Sequence, residues 1–145
     1  MNLANGYFYN LKIVNMKKQI EAVTLFHKTY GLGVSEEMKG DLGVSKNNLR
    51  FELMKEENEE YLTAVQNDDM VEIADALGDM LYILCGTIIE HGLQDKIEAV
   101  FDEIQRSNMS KLGEDGKPIY REDGKVMKGP NYFKPNFEAI LKEKV

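Results

Sequence analysis

Residues 70–90 constrain the fold more than any other part of the chain, because as a helix they are apolar in almost every direction. At about 100° per residue, apolar side chains cover most of the circumference: Ile73, Leu77, Met80, Leu81, Ile83, Leu84, Ile88 and Ile89. Asp68 or Asp69 can cap the start of this helix, and Gly92 can end it. Such a helix belongs at the buried centre of several others, so the segment predicts a helical bundle.

Gly, Pro and capping residues divide the rest of the chain into further helices, with no βαβ alternation and no visible domain boundary. The spacing predicts helices over residues 16–30, 46–66, 96–111 and 137–141, with Asn15, Asp95 and Asn136 as caps. We therefore expect an all-α fold in one domain, residues 1–145, with a four-helix-bundle core over about residues 16–111.

Residues 112–145 differ from this core, since they are rich in Gly and Lys and we expect them to be irregular. The tetrapeptide Glu-Asp-Gly-Lys occurs at Glu114–Lys117 and again at Glu122–Lys125. Each Asp-Gly pair is a turn signal, so a small hairpin around one of them is expected.

Carboxylates lie in unusual places on the second predicted helix. Glu57 points into the middle of its apolar arc, Glu60 lies between two leucines, and Glu56 is at the edge. Glu52 and Glu59 project to the polar side instead. A run of charges is usually a solvated face, but a carboxylate that faces a core is costly unless it is paired or bound to a metal.

The third predicted helix has one polar stripe, where Glu72, Asp75 and Asp79 follow one another at helical spacing. Gly86 continues this stripe and is expected to leave open space. The stripe alone could be the solvated edge of a central helix. Together with the acids of the second helix it would crowd like charges, which a divalent metal relieves, and oxygen ligands suit Mg²⁺ or Mn²⁺.

On the fourth predicted helix the apolar stripe ends in polar residues, because helical spacing extends it to Asn108 and Lys111. An amide and an ammonium group at the end of a core face can bind an anion. Taken alone, these two residues could equally mark an ordinary helix end.

Composition limits the partners. The net charge of -7 disfavours nucleic acid and anionic membranes as partners. The longest apolar stretch, about residues 80–89, is too short to span a bilayer. A single cysteine, Cys85, and no visible signal peptide lead us to expect a cytoplasmic protein.

These motifs together resemble a known superfamily. Glu56-Glu57-Asn58-Glu59-Glu60 is similar to the E-E-x-x-E motif of the all-α nucleoside triphosphate pyrophosphohydrolases, which include MazG, dimeric dUTPases and phosphoribosyl-ATP pyrophosphohydrolase. The segment Asp75–Tyr82 resembles their second motif, E-x-x-D followed by apolar residues. Residues 100–111 and 123–128 resemble the MazG-like, dUTPase-related branch, and the likeness covers about residues 20–137.

The resemblance implies Mg²⁺-dependent cleavage of a (deoxy)nucleoside triphosphate to the monophosphate and pyrophosphate, by a homodimer or a tetramer formed as a dimer of dimers. Such an activity would suit house-cleaning of the nucleotide pool. The acids that match the family are Glu56, Glu57, Glu60 and Asp79. The glutamate expected three residues before Asp79 is replaced by Ala76, so either Asp75 or Glu72 takes its place.

The resemblance also implies roles for individual residues. Glu57 is our candidate general base as well as a metal ligand. Substrate contacts are expected from Tyr82, Asn108, Lys111, Lys125 and Lys128, the lysines as partners of the phosphates. For Tyr82 a contact with the base or sugar and a role in the core remain equal alternatives.

Other functions remain open. The substrate could be phosphoribosyl-ATP or another nucleotide derivative, or the protein could be a non-catalytic helical module that binds a nucleotide or a metal. A di-iron carboxylate bundle is disfavoured because neither His27 nor His91 forms a Glu-x-x-His pair. A P-loop enzyme is disfavoured because residues 113–117 lack the Walker spacing.

Overall fold

A computed structural model describes residues 15–143 of the chain. Its helices are α1 (Lys17–Thr29), α2 (Val44–Gln66), α3 (Met70–Glu90), α4 (Ile97–Met109) and α5 (Phe137–Lys142). In this described range the extended pairing is limited to an isolated antiparallel bridge between Tyr120 and Val126. The predicted all-α class is confirmed. None of the helices in residues 15–143 combines the length and apolar character that crossing a bilayer requires.

Two helix starts follow the predicted capping chemistry. The side chain of Asp69 accepts hydrogen bonds from the backbone N–H groups of Val71 and Glu72, at 3.1 and 3.2 Å. The side chain of Asn136 accepts one from the N–H of Ala139 at 3.3 Å. Both caps satisfy backbone donors that have no partner inside the helix.

Two other predicted caps are wrong. Met16, not Asn15, occupies the N-cap position of α1, and Lys96, not Asp95, occupies that of α4, with no side-chain cap hydrogen bond at either. A side chain caps a helix only from the position directly before its first turn, and the preceding turn decides which residue reaches it. In addition, α2 begins at Val44, earlier than the predicted Lys46.

Helices α1, α2 and α3 belong to one compact unit, Met16–Asp95. Helix α3 contacts both of the others. The buried apolar side chains come mainly from α3 and α1: Ile20, Val23, Ala64, Ala76, Cys85, Ile88 and Ile89. Cys85 is a free, buried cysteine within this core. The arrangement gives α3 the central position in the unit that its sequence predicts.

One side of α3 nevertheless stays open in the single chain. Leu77, Leu81 and Leu84 are 49%, 45% and 44% exposed. The sequence predicts a helix covered on all sides, and the described residues of one chain do not provide that cover.

Gly86 on α3 does not leave the open space that its sequence position predicts. A Cβ atom at Gly86 would lie 2.7 Å from His27 Nε2 and 2.9 Å from Arg50 Nη2. The imidazole is itself held by a 2.7 Å hydrogen bond between His27 Nδ1 and the carbonyl oxygen of Gly33. The glycine therefore admits two buried polar side chains from α1 and α2, and that correction removes Gly86 from the candidate site.

A second compact unit is built on Lys96–Val145 and contains α4 and α5. Its irregular segment includes a small hairpin around Asp123-Gly124, in which Arg121 N–H donates to the carbonyl oxygen of Lys125 at 2.8 Å and Met127 N–H to that of Ile119 at 2.7 Å. The predicted hairpin is confirmed at the second of the two Asp-Gly pairs.

The start of α5 is attached to α4 through Glu103. This carboxylate accepts the N–H of Asn136 at 2.7 Å and pairs with the guanidinium of Arg106 at 2.8 Å. Arg106 and then the Asn136 N–H hold the pKa of Glu103 at about 2, so this contact persists over the whole neutral range.

The packing at Gly86 yields a stability prediction. We expect Gly86→Ala to lower the free energy of unfolding by about 1–3 kcal/mol, because the added methyl group overlaps His27 and Arg50. Gly78 on the same helix is the matched control, since a Cβ there meets no atom within 4 Å. Gly78→Ala should be neutral or stabilising by up to about 1 kcal/mol, because Ala is the better helix former. Denaturant unfolding measures both; equal stability of the two variants would contradict the described packing.

Candidate active site

Helices α2 and α3 form a helical hairpin, joined by residues 67–69, and bring acids from both helices together. Glu57 on α2 is half-buried, while the remaining acids are exposed at the surface of the single chain: Glu56, Glu60, Glu72, Asp75 and Asp79. We call these six residues the acid cluster.

Glu57 has the most constrained environment of the acid cluster. Its Oε2 atom is buried and finds no hydrogen-bond partner in residues 15–143. Burial raises the pKa of Glu57, and the negative charges of its neighbours raise it further, in the order Glu60, Asp79, Glu56 and Asp75. The carboxylates of two helices therefore act on one half-buried acid, as the sequence periodicity predicts.

Glu72 lies at the other end of the cluster. It lines an open cavity of about 610 Å³ between α2 and α3, together with Glu56 and Glu60. Glu59 lines the same cavity, although its helical phase places it on the polar side. Either Asp75 or Glu72 could replace the motif glutamate that is absent at Ala76. Both lie near acids that match the family: the charge of Asp75 acts on Glu57, and Glu72 lines the cavity with Glu56 and Glu60.

The donor chemistry of the cluster fits a hard divalent cation. No group of three or more Asp, Glu, His or Cys side chains within residues 15–143 is arranged as a formed metal site. The buried Glu57 Oε2 nevertheless lacks a partner, and the surrounding negative charges repel one another. A cation would supply that partner and offset the repulsion, and all the available ligand atoms are carboxylate oxygens, which suit Mg²⁺ or Mn²⁺.

Tyr82, one turn past Asp79, has a structural contact of its own. Its ring meets the ring of Phe26 on α1 edge to face, with centroids 5.6 Å apart and an interplanar angle of 85°. The residue is still 41% exposed, so part of the ring remains free to contact a ligand.

The other predicted substrate residues lie in the second unit, where they line one cavity of about 570 Å³: Asn108, Lys111, Lys125 and Lys128. Lys111 lies beyond the end of α4, and Lys125 and Lys128 follow the hairpin turn. Residues far apart in the sequence are thus brought to one place. Arg121 and Tyr132, which sequence reasoning missed, line the same cavity. Arg121 could have been found, because pairing across the Asp-Gly turn places it opposite Lys125.

Sequence reasoning also missed a buried ion pair elsewhere in the α2–α3 contact. Arg50 on α2 donates from Nε to Thr87 Oγ1 at 3.0 Å and from Nη2 to the carbonyl oxygen of Ile83 at 2.8 Å. Its Nη1 lies 3.9 Å from Glu90 Oε1, and both side chains are buried. Arg50 precedes Glu57 by two helical turns, so both residues lie on the apolar arc of α2. That position could have indicated from the sequence that Arg50 is buried.

The fold and the site together define the class of protein: an all-α chain with acids gathered on a helical hairpin, as in the nucleoside triphosphate pyrophosphohydrolase superfamily. Residues 23–108 match the phosphoribosyl-ATP pyrophosphohydrolase family. The chain belongs to this family, and the predicted superfamily membership is confirmed. The matched residues include the whole acid cluster together with Tyr82 and Asn108. The general activity that this supports is that of a nucleotide pyrophosphohydrolase.

Among solved structures, the chain is similar to a proposed NTP pyrophosphohydrolase from Exiguobacterium sp. 255-15. The two are 26% identical over 90% of this chain and 94% of that chain, with a TM-score of 0.46. None of the curated proteins compared with the chain matches it significantly.

The environment of Glu57 yields a prediction about stability without metal. The pKa of Glu57 in the folded protein lies above the ordinary value of 4.5. Protonated Glu57 therefore costs the folded state little below pH 4.5, and the folded protein loses stability as the pH rises through the raised pKa and Glu57 becomes charged. In the presence of a chelator, Glu57→Gln should therefore be at least as stable as the wild type at neutral pH, and its advantage should shrink toward about pH 4.

Denaturant midpoints at several pH values measure this effect. Glu52→Gln is the matched control, because Glu52 is exposed and its ion pairing within residues 15–143 is limited to Lys55, at 3.6 Å. It should change stability by less than about 0.5 kcal/mol at every pH. A Glu57→Gln variant that is less stable than wild type at neutral pH would show that Glu57 is not under electrostatic strain.

Proposed function

We propose that the protein is a Mg²⁺-dependent nucleoside triphosphate pyrophosphohydrolase, with Mn²⁺ as a substitute, that converts a (deoxy)nucleoside triphosphate and water to the monophosphate and pyrophosphate. The observation that supports this most is the half-buried Glu57, whose Oε2 lacks a partner while carboxylates from two helices surround it. Such a cluster is costly in the free protein and suits a site whose substrate arrives with metal ions.

In this proposal Glu56, Glu60 and Asp79 are the main metal ligands, with Asp75 or Glu72 completing the set. Bound Mg²⁺ supplies charge neutralisation on the phosphates and makes the α-phosphorus a better electrophile. Glu57 accepts the proton of the attacking water, because it is a half-buried carboxylate that lies among the proposed ligands. The oxygen of the water bonds to the α-phosphorus, the bond from that phosphorus to the bridging oxygen breaks, and pyrophosphate leaves.

The substrate contacts in this proposal come from outside the acid cluster. Lys111, Lys125 and Lys128 bind phosphate oxygens, Asn108 donates a hydrogen bond, and the exposed part of Tyr82 contacts the base or sugar. An activity of this kind would serve to remove unwanted nucleotides from the cellular pool.

Phosphoribosyl-ATP is the second candidate substrate, because the matching family carries that name. The scissile bond is of the same kind, between the α and β phosphates, so the acid cluster would act in the same way. An activity assay with each compound distinguishes the two candidate substrates.

The test is a screen of the common ribonucleoside and deoxyribonucleoside triphosphates and phosphoribosyl-ATP, each with Mg²⁺ or Mn²⁺, for pyrophosphate and orthophosphate. We expect pyrophosphate with at least one substrate and no orthophosphate. Glu57→Gln and Asp79→Asn should each lower kcat by at least about 100-fold, because each removes a carboxylate from the metal and proton chemistry. Glu52→Gln, on the polar side of α2, should keep wild-type kcat.

Two further variants decide which acid replaces the one absent at Ala76. Asp75→Asn and Glu72→Gln should differ in their effect on the metal concentration needed for activity, and the larger effect marks the ligand. Full activity in the Glu57→Gln, Asp79→Asn double variant would sink the proposed mechanism, since no site of this kind could survive both changes.

We also propose that the protein works as a homodimer or a larger oligomer. Helix α2 also carries exposed apolar side chains, among them Leu49, Phe51 and Leu62 at 52%, 61% and 56%. Exposed apolar surface of this extent is typical of an interface. A second copy is the occupant that fits best, because it would cover a helix whose own sequence is apolar all round.

Light scattering at micromolar concentration should therefore give a dimer or a tetramer, and a monomer would contradict the proposal. Leu81→Arg should shift the population toward smaller species without loss of helical circular dichroism, because it places a charge in the apolar surface of α3. Unchanged assembly in this variant would show that the open side of α3 is not the interface.

A further inference from the structure

The cavity in the second unit collects positive charge in an acidic protein. We call it the tail pocket; it is lined by Ile104, Ser107, Asn108, Lys111, Arg121, Lys125, Val126, Met127, Lys128, Tyr132 and Pro135. Four of these residues are cations and none is a carboxylate, whereas the whole chain carries a net charge of -7. A local excess of positive charge of this kind attracts an anion.

The three lysines of the tail pocket keep their charges available. Within residues 15–143, no carboxylate lies within ion-pair distance of Lys111, Lys125 or Lys128. The ammonium group of Lys128 lies over the ring of Tyr132, 4.6 Å from its centroid. A lysine that rests on an aromatic face retains its charge and its donors.

Arg121 is held at the pocket by an acid that does not line it. The guanidinium makes two parallel hydrogen bonds to Asp123, one of them from Nε to Oδ1 at 2.9 Å. Arg121 keeps the pKa of Asp123 below its usual range. An arginine has five N–H donors, so donors beyond those used by Asp123 remain for a ligand.

The backbone around the tail pocket is closely packed. Gly129 N–H donates to the carbonyl oxygen of Lys111 at 2.9 Å, and a Cβ atom on Gly129 would lie 2.0 Å from the carbonyl oxygen of Leu112. Only glycine permits this approach, which brings Lys128 beside the end of α4. The following segment is tied to α4 as well, since Ser107 Oγ donates to the carbonyl oxygen of Phe133 at 2.9 Å.

The remaining lining is apolar. Side chains of this kind come from α4, the hairpin and the segment after it: Ile104, Val126, Met127, Tyr132 and Pro135. The volume of about 570 Å³ suits a small organic ligand rather than a single inorganic ion. The lining thus combines cations, which can bind an anionic group of a ligand, with an apolar and aromatic surface, which can pack against a flat, uncharged group of the same ligand.

We propose that the tail pocket binds a nucleotide directly, without a metal ion. In this metal-free mode its phosphates contact Lys111, Arg121, Lys125 and Lys128, and its base or sugar lies against Tyr132 and Met127 instead of the contact with Tyr82 proposed for turnover. The choice of a nucleotide over other organic phosphates rests on the proposed function. The pocket would give an acidic protein a way to hold a polyphosphate before any metal is bound. Asp123 acts here as a positioning residue for Arg121.

Calorimetric titration of the full chain in EDTA tests this proposal. The probes are ATP, GTP, CTP, UTP, pyrophosphate and adenosine, each at two salt concentrations. At least one triphosphate should bind, at least tenfold more tightly than pyrophosphate, and its Kd should rise with salt. Adenosine should not bind measurably. Pyrophosphate that binds as tightly as every triphosphate would overturn the nucleotide assignment, and so would the absence of binding by all four triphosphates.

Variants show whether this binding occurs in the tail pocket. Lys125→Gln and Arg121→Gln should each weaken metal-free binding about tenfold or more, and Lys125→Arg should restore most of it. Lys117→Gln is the matched control, because Lys117 is an exposed lysine of the same segment that does not line the pocket. An equal loss in Lys117→Gln and Lys125→Gln would show that only overall charge matters and would overturn the proposal.

Failure of this proposal can be distinguished from failure of the proposed function. Glu57→Gln should lose turnover and keep metal-free nucleotide binding. If the protein turned over no substrate but bound a triphosphate in EDTA through Lys125, the proposal for the tail pocket would stand and the proposed enzymatic activity would be refuted. A protein that turns over substrate with wild-type KM in Lys125→Gln and shows no binding in EDTA would refute the pocket alone.

Discussion

The packing of α2 against α3 brings carboxylates of both helices to one half-buried acid, and the electrostatic cost of that arrangement underlies the chemistry proposed for the protein. Burial and four neighbouring negative charges all raise the pKa of Glu57, and its Oε2 finds no partner in residues 15–143. Helix packing must compensate for this cost in the free protein. The same cost means that a cation bound here would have a favourable effect.

A second polar contact on the same face of α2 shows how the hairpin tolerates buried charge. Arg50 is buried two turns before Glu57, but its guanidinium donates to Thr87 and to the backbone of Ile83 and faces Glu90. Gly86 provides the space for this side chain and for His27. At one end of the α2–α3 contact Glu90 thus lies within ion-pair distance of Arg50 and Lys46, although its Oε2 makes no hydrogen bond within residues 15–143, whereas the acid cluster contains only like charges. That contrast is typical of a structural site beside a functional one.

We propose that the two units of this acidic protein bind polyphosphate in two different ways. In our proposal the acid cluster relies on cations that come with the substrate, because all six of its members are carboxylates. The tail pocket instead supplies fixed positive charge from Lys111, Arg121, Lys125 and Lys128. A net charge of -7 is thus compatible with an anionic substrate, since local charge and not the total decides what a site attracts.

The sequence by itself determined the features that depend on local spacing. Helical periodicity was enough to place α3 at the centre of its unit and to direct Glu57 inward, because residues three and four apart share a face whatever surrounds them. The Asp69 and Asn136 caps and the Asp123-Gly124 turn are local for the same reason. The family motifs rest on the same spacing, and the match over residues 23–108 agrees with them.

Tertiary structure alone decided what depends on residues far apart in the chain. The space beside Gly86 is filled by His27 from α1 and Arg50 from α2, which no pattern within α3 could show. The tail pocket exists because Gly129 approaches the end of α4 and Ser107 holds the segment beyond it. Helix starts at Lys17 and Ile97 also differ from the local prediction, since the preceding turn decides which residue reaches the capping position. Periodicity specifies the direction of a side chain, and only the fold specifies what it meets there.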